Sequence, residues 1–263
     1  MYFNIDKKFD IDINQLNNPS VLIGWPGIAL VGKLAISSIK DAIDAELFLN
    51  IEYFDFPPKS TVENGSLDIP SAQVYYKARE KGDLFILTAE YQPQSSEGVF
   101  EFSKLFCEEM DKLTNGKINL YLSSGAMISE RATKENESTV YVCGTDSNLV
   151  NKFIEIGSIE IMETGVIAGA NGILPAWAGQ KGFAPGICLL AETIPLPMMN
   201  LDPKASKALV AVLKEFFKID MTYDELDKQI KEMEEVFEKF KNQANSLMRR
   251  DSKQRKSEDS YFR

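Results

Sequence analysis

The chain has 263 residues, of which 44% are hydrophobic, 10% aromatic and 26% charged, the values of an ordinary globular protein with room for a sizeable core. Lys and Arg number 29 against 39 Asp and Glu, and this acidic excess argues against a nucleic-acid or anionic-membrane partner, since both need basic faces. Histidine occurs 0 times, which removes Ser-His-Asp and Cys-His catalysis, histidine metal sites and histidine pH switching.

The opening Met1–Lys8 stretch lacks a basic segment followed by an apolar run, so no secretion signal is expected. No segment approaches the roughly 18 apolar residues of a membrane span. Ser20-Val-Leu-Ile-Gly24 reads as a buried strand ending at a glycine. It leads into Gly24-Trp25-Pro26-Gly27-Ile28-Ala29-Leu30-Val31-Gly32-Lys33. Gly27, Gly32 and Lys33 fit the spacing of a phosphate loop. The next residue is Leu34, however, so the Mg²⁺-binding hydroxyl is missing, and the four intervening residues are apolar and helix-like. The segment is therefore expected to be a strand–turn–helix joint, with Gly27 and Gly32 letting the helix press on the sheet.

Asp83–Thr88, Lys117–Leu122 and Ser138–Cys143 are further apolar runs suited to a sheet covered on two faces. Between them, residues 95–114 place Val99, Phe102, Leu105, Phe106, Met110 and Leu113 on one helical stripe that Gly116 ends. Strand and helix alternating in this way predict an α/β fold, a three-layer sandwich. The cysteines Cys107, Cys143 and Cys188 are odd in number and scattered. They are no disulfide framework and fit a reducing, cytoplasmic setting.

Residues 157–200 are dense in glycine and proline, and Asn171-Gly172 carries a turn signal. The segment reads either as compact connections or as a ligand-facing or subunit-facing loop region. Among carboxylates, Glu90, Glu97, Glu130, Glu163 and Glu192 remain as candidates for chemistry. Glu90 and Glu192 follow strand-like runs, where α/β active sites sit. Ser123-Ser124-Gly125 lacks a nucleophile elbow and a histidine base.

Residues 202–218 predict a helix with Asp202 as N-cap and Pro203 at its first position. A second helix is expected from Thr222, with Glu225 completing a capping box. Along it Leu226, Ile230, Met233, Phe237, Phe240, Ala244 and Leu247 form a heptad seam, about 39 Å long. The seam suits either its own domain or a partner helix. Residues 249–263 carry six basic and three acidic side chains and end in Tyr261-Phe262-Arg263; this composition predicts a disordered tail. The chain thus divides into an α/β domain over 1–219, an amphipathic helix over 220–248 and the basic tail over 249–263.

The Gly24–Gly32 segment resembles the signature of the archaeal proteasome assembly chaperone family, relatives of eukaryotic proteasome assembly chaperone 2. Thr164-Gly-Val-Ile-Ala-Gly-Ala-Asn-Gly-Ile-Leu174, Gly186–Thr193 and Leu201-Asp-Pro203 are similar to later segments of that family. The likeness spans roughly residues 18–240. Gly24, Pro26, Gly27, Gly32, Gly169, Asn171 and Gly172 are the motif positions it marks. The resemblance implies a mixed sheet between helices, similar to the nucleoside phosphorylase fold. It implies an ATP-independent, non-enzymatic homo-oligomer without cofactor or metal, whose partner is the α-subunits of the 20S proteasome. It also gives the tail a role: Tyr261, Phe262 and Arg263 would match the hydrophobic–Tyr–X ending that inserts between α-subunits, with Phe262 lacking the usual hydroxyl. The alternative is an enzyme on the phosphorylase-like fold acting on a small nucleoside or ester.

Overall fold

The structure is a computed structural model that describes residues 2–129, 138–193, 201–232 and 235. In chain order the elements are β1 (Phe3–Lys7), β2 (Ser20–Gly24), α1 (Val31–Ala42), β3 (Glu46–Tyr53), β4 (Thr61–Glu63), β5 (Ser66–Asp68), β6 (Ser71–Lys77), β7 (Leu84–Ala89), α2 (Ser96–Thr114), β8 (Leu120–Ile128), β9 (Val140–Gly144), α3 (Ser147–Ile154), β10 (Ile159–Ile161), α4 (Ala170–Gln180), β11 (Gly186–Thr193) and α5 (Pro203–Phe217).

Nine strands form one mixed sheet in the order β1-β3-β6-β7-β2-β8-β11-β9-β10. The centre, β7-β2-β8-β11, is parallel. One flank, β6-β3-β1, and the join from β11 to β9 are antiparallel. Alternate side chains serve opposite faces, as the pleat requires. Val21, Ile23, Phe85 and Leu87 pack with Phe102 and Phe106 of α2 and Leu174 and Ala178 of α4. The intervening Leu22 and Ile86 are equally buried and belong to the other face, where α1 and α5 lie against each other. The result is the expected three-layer α/β sandwich. An aromatic core runs through one layer, with Trp25, Tyr53 and Phe102 in edge-to-face contact.

Local chemistry explains the element ends. Ser95 caps α2 by accepting from Gly98 N, and Asn115 and Gly116 end it with positive φ. Asp202 caps α5 through Lys204 N and Ala205 N, with Pro203 opening the helix. Three expectations are corrected. Asn171-Gly172 is no turn: both lie in the first turn of α4, started by Gly169 at φ 75. The run expected over Lys117–Leu122 is β8, which begins at Leu120 and continues to Ile128, so that Ser123-Ser124-Gly125 lies inside it. Ile28–Leu30 is not part of the α-helix: it is a single kinked 3-10 turn in which Ala29 and Leu30 have φ 46 and 50.

Residues from Tyr223 onward form a second unit. Within it the backbone is helical over 224–232, starting one residue later than a helix capped by Thr222 would, and Leu226 is buried. The heptad positions Met233, Phe237, Phe240, Ala244 and Leu247, and the tail with Tyr261, Phe262 and Arg263, lie outside the described residues, as does Glu130.

Candidate functional site

The residues of the two glycine-rich motifs meet at the C-terminal ends of β2, β7 and β8. Leaving β2, the chain turns through Trp25, Pro26 and Gly27. Trp25 is fully buried against Phe102, with ring centroids 5.1 Å apart. Gln92, in the loop after β7, joins this turn to α4. Its Nε2 donates to Pro26 O at 2.6 Å, and its Oε1 accepts from Ala170 N at 2.9 Å. Gly169 is required beside it, since its φ is 75 and a Cβ there would stand 2.6 Å from Gln92 Oε1.

Asn171 is the second link. It is buried at the start of α4, and its Nδ2 lies 3.6 Å from the positions a Cβ would take at both Gly27 and Gly125. Its carbonyl accepts from Ser123 Oγ at 2.5 Å, so β8 holds the helix start by a side chain. Gly172 faces Ile167, where a Cβ would meet the Ile167 carbonyl at 2.4 Å.

The third link fixes α1. A Cβ on Gly24 would stand 2.6 Å from Ile36 Cβ, and one on Gly32 1.9 Å from Ser124 O. Gly24 and Gly32 are therefore the close-approach positions. Gly27 has an extended backbone and, at 3.6 Å from Asn171 Nδ2, room for a Cβ, so the expected close-packing role moves from Gly27 to Gly24. The two left-handed residues between them cost roughly 1–2 kcal/mol each. They are held by Leu30 N donating to Gly27 O and by Asp202 N donating to Ala29 O at 2.9 Å. Asp202 also accepts from Thr193 Oγ1 at 2.6 Å, and Ser206 Oγ donates to Val31 O at 3.1 Å. Strain kept in place by so many partners marks a built feature.

The structure brings Gly24, Pro26, Gly27, Gly32, Gly169, Asn171 and Gly172 together. Their companions Gln92, Ser123 and Asp202 leave no local pattern in the sequence, because the bonds of Ser123 and Gln92 cross 48 to 78 residues of chain and Asp202 N reaches back to Ala29 O. Lys33 pairs with Glu90, so the lysine of the phosphate-loop spacing is matched by a carboxylate. Glu97 lies in the first turn of α2. Glu163 is exposed. Glu192 is buried beside Tyr141, whose hydroxyl donates to its Oε1 at 3.2 Å. Among the described carboxylates of this set, Glu90 alone pairs with a residue of the Gly24–Lys33 segment. The polar atoms of Gln92, Ser123 and Thr88 are spent on main-chain groups, Thr88 on Gly24 O. A polar cleft of about 500 Å³ opens at the other end of the sheet, lined among others by Asn18, Asp83, Asn119, Asp146, Lys152 and Phe216. Among the described residues no cluster of three metal-ligating side chains is present, and no helix is long and apolar enough to cross a membrane.

The model of the PAC2 family matches residues 21–241. An uncharacterized protein of Methanocaldococcus jannaschii, MJ1210, is 30% identical over 241 residues, 90% of this chain and 89% of that one. Among solved structures, Pyrococcus furiosus PbaB, described as an archaeal proteasome activator, superposes with TM-score 0.80 at 24% identity, covering 91% of this chain and 98% of its own. Pyrococcus furiosus PbaA, described as an archaeal homolog of proteasome-assembly chaperone, superposes with TM-score 0.73 at 21% identity over 96% of this chain and 97% of its own.

Proposed function

This chain belongs to the PAC2 family, and from that premise we propose that it is a non-enzymatic chaperone or activator of an archaeal-type 20S proteasome. The observation that carries this reading is the match of the family over residues 21–241, joined to the fold it shares with PbaB and PbaA. The geometry of the motif cluster supports it. In open α/β sheets, ligands bind outside the C-terminal ends of the parallel strands. Here that crevice is crossed by Gln92, which ties the Pro26–Gly27 turn to α4, with Asn171 packed beside Gly27. The glycines serve close backbone packing, and no nucleophile–base pair stands among them.

In this reading the contact with the proteasome is made by the C-terminal tail. Tyr261 and Phe262 would bury their rings between adjacent α-subunits, and the carboxylate of Arg263 would meet a cation there. The protein works as a homo-oligomer in the cytoplasm. Several tails presented together then bind by avidity, each weak on its own. The loss of the tyrosine hydroxyl at Phe262 removes one hydrogen bond and leaves the buried ring as the anchor.

The test is capture of purified 20S particles and free α-subunits by the full chain and by a chain ending at Ser260. Capture of the particle by the full chain alone is expected. Capture of free α-subunits by both chains would place the contact on the folded domain and overturn the tail mechanism. Capture by neither would overturn the chaperone reading and favour a small-molecule activity, which stabilisation by nucleosides or phosphate would then reveal.

A further inference from the structure

Cys143 and Cys188 stand directly opposite each other on the antiparallel strands β9 and β11. Thr145 N donates to Gly186 O, and Glu192 N donates to Thr139 O, on either side of them. Hydrogen-bonded pairs alternate along such a ladder, which makes Cys143 and Cys188 a hydrogen-bonded pair with Cα atoms about 5.5 Å apart. Disulfides span Cα separations of about 4.4–6.8 Å. The two thiols also differ in access. Cys143 is half-buried at the strand end, whereas Cys188 is 5% exposed.

We propose that Cys143 and Cys188 are a redox pair that a low-molecular-weight disulfide of the glutathione class converts into a cross-strand disulfide. Access assigns the roles. The Cys143 thiolate attacks one sulfur of the oxidant, forming a mixed disulfide and releasing one thiolate of the reagent. The Cys188 sulfur, after giving up its proton, then attacks the Cys143 sulfur. The Cys143–Cys188 bond forms, the mixed disulfide breaks, and the second reagent thiolate leaves. Two protein thiols are oxidised, one reagent disulfide is reduced to two thiols, and both protons end on those thiols.

The surroundings agree with this division. Cys143 Sγ donates to the Cys188 carbonyl at 3.9 Å; the interaction between the two side chains lowers the Cys143 thiol below its ordinary value and, with burial, raises Cys188. The third cysteine is the inert one. Cys107 is fully buried in α2, and burial pushes its thiol up to about 12. A hydrogen-bonded strand pair holds its Cβ atoms at or beyond the long end of disulfide geometry, so closing the bond draws the strands together. Such a bond is readily reduced, so the cross-link is reversible. Closed, it ties β9, and with it the edge strand β10, to the parallel core of the sheet.

The experiment treats the folded, reduced full chain with oxidised glutathione and counts thiols after denaturation. Of 3 cysteines in the chain, two are expected to disappear while Cys107 remains. Intact mass should fall by two hydrogens with no adduct, and a peptide map should join residues 143 and 188. Dithiothreitol should restore all three thiols. Cys188→Ser should trap glutathione on Cys143, and Cys143→Ser should take up none. Three surviving thiols in the unsubstituted chain, a persistent adduct on it, or no trapped adduct in Cys188→Ser would each overturn the proposal.

Discussion

Gly32 packs its Cα so closely on the Ser124 carbonyl that a Cβ there would stand 1.9 Å from the oxygen. The obstacle is backbone of the central strand β8, which cannot swing aside as a side chain can. The contact lets α1 approach the sheet at its N-terminal turn, and it fixes where the strained Ala29–Leu30 segment must end. A single methyl at Gly32 must displace either the helix or the strand. Gly32→Ala is expected to destabilise the fold by about 3 kcal/mol. Gly27→Ala, with an extended φ of −158 and its nearest neighbour 3.6 Å away, is expected to cost within about 0.5 kcal/mol. Denaturant unfolding of the two variants checks this, and equal losses would refute it.

Gln92 holds both glycine-rich segments, by donating to Pro26 O and accepting from Ala170 N. Gln92→Ala leaves a carbonyl and an N–H unpaired. The expected cost is about 2 kcal/mol. It should be local. Hydrogen exchange should speed up over residues 26–31 and 170–173, while β7 and β8 keep their protection. Uniform acceleration across the sheet would show that Gln92 serves only general stability.

Much of the architecture was legible because its signals are local. Apolar runs marked β2 and β7, and the spacing of Val99, Phe102 and Phe106 marked α2. Asp202 and Pro203 marked the start of α5 within a residue. The antiparallel flank was not legible. β3 and β6 mix polar and apolar residues, and their pairing joins partners as distant in the chain as Glu46 and Tyr76. Asn171-Gly172 misled for a physical reason. The pair favours a hairpin turn in isolation, but here Gly169 supplies the positive φ and Ser123 fixes the Asn171 carbonyl, so the chain enters a helix. The motif glycines were recognisable as a set, yet what each one touches was not. Contact across the sheet depends on the register of β8 against β2, which is a property of the assembled fold.

Three tyrosines are held neutral by their surroundings. Burial raises Tyr53, helped by Glu101 and Asp55. Burial raises Tyr76, whose hydroxyl donates to Asp83 at 3.0 Å. Burial also raises Tyr121, which lies next to Cys107. A folded-state value above the ordinary 10.0 means that the folded chain keeps these protons when the unfolded chain has lost them. Stability from these groups is complete below about pH 10 and falls as pH climbs through the unfolded value towards the folded ones. Absorbance titration at alkaline pH should show the chain's 9 tyrosines ionising in two phases, with the late phase coinciding with unfolding. Smooth ionisation of every tyrosine while the circular dichroism stays native would refute this.

Ala29 and Leu30 are consecutive non-glycine residues at φ 46 and 50, a pairing that L side chains resist. The turn persists because Asp202 N holds the Ala29 carbonyl and Gly32 locks the next turn against β8. Both bonds use main-chain atoms, so a change of side chain at position 29 leaves them intact. Ala29→Gly therefore removes the steric cost while adding freedom to the unfolded chain, about 0.4–1 kcal/mol in the opposite direction. The net effect is expected to be neutral or stabilising by up to about 1 kcal/mol. The control is Ala35→Gly, fully buried in the middle of α1, which should lose at least about 1 kcal/mol through helix propensity alone. Thermal unfolding of the two variants separates the cases: if Ala29→Gly falls as far as Ala35→Gly, the left-handed turn stores no strain, and the many partners around it serve packing alone.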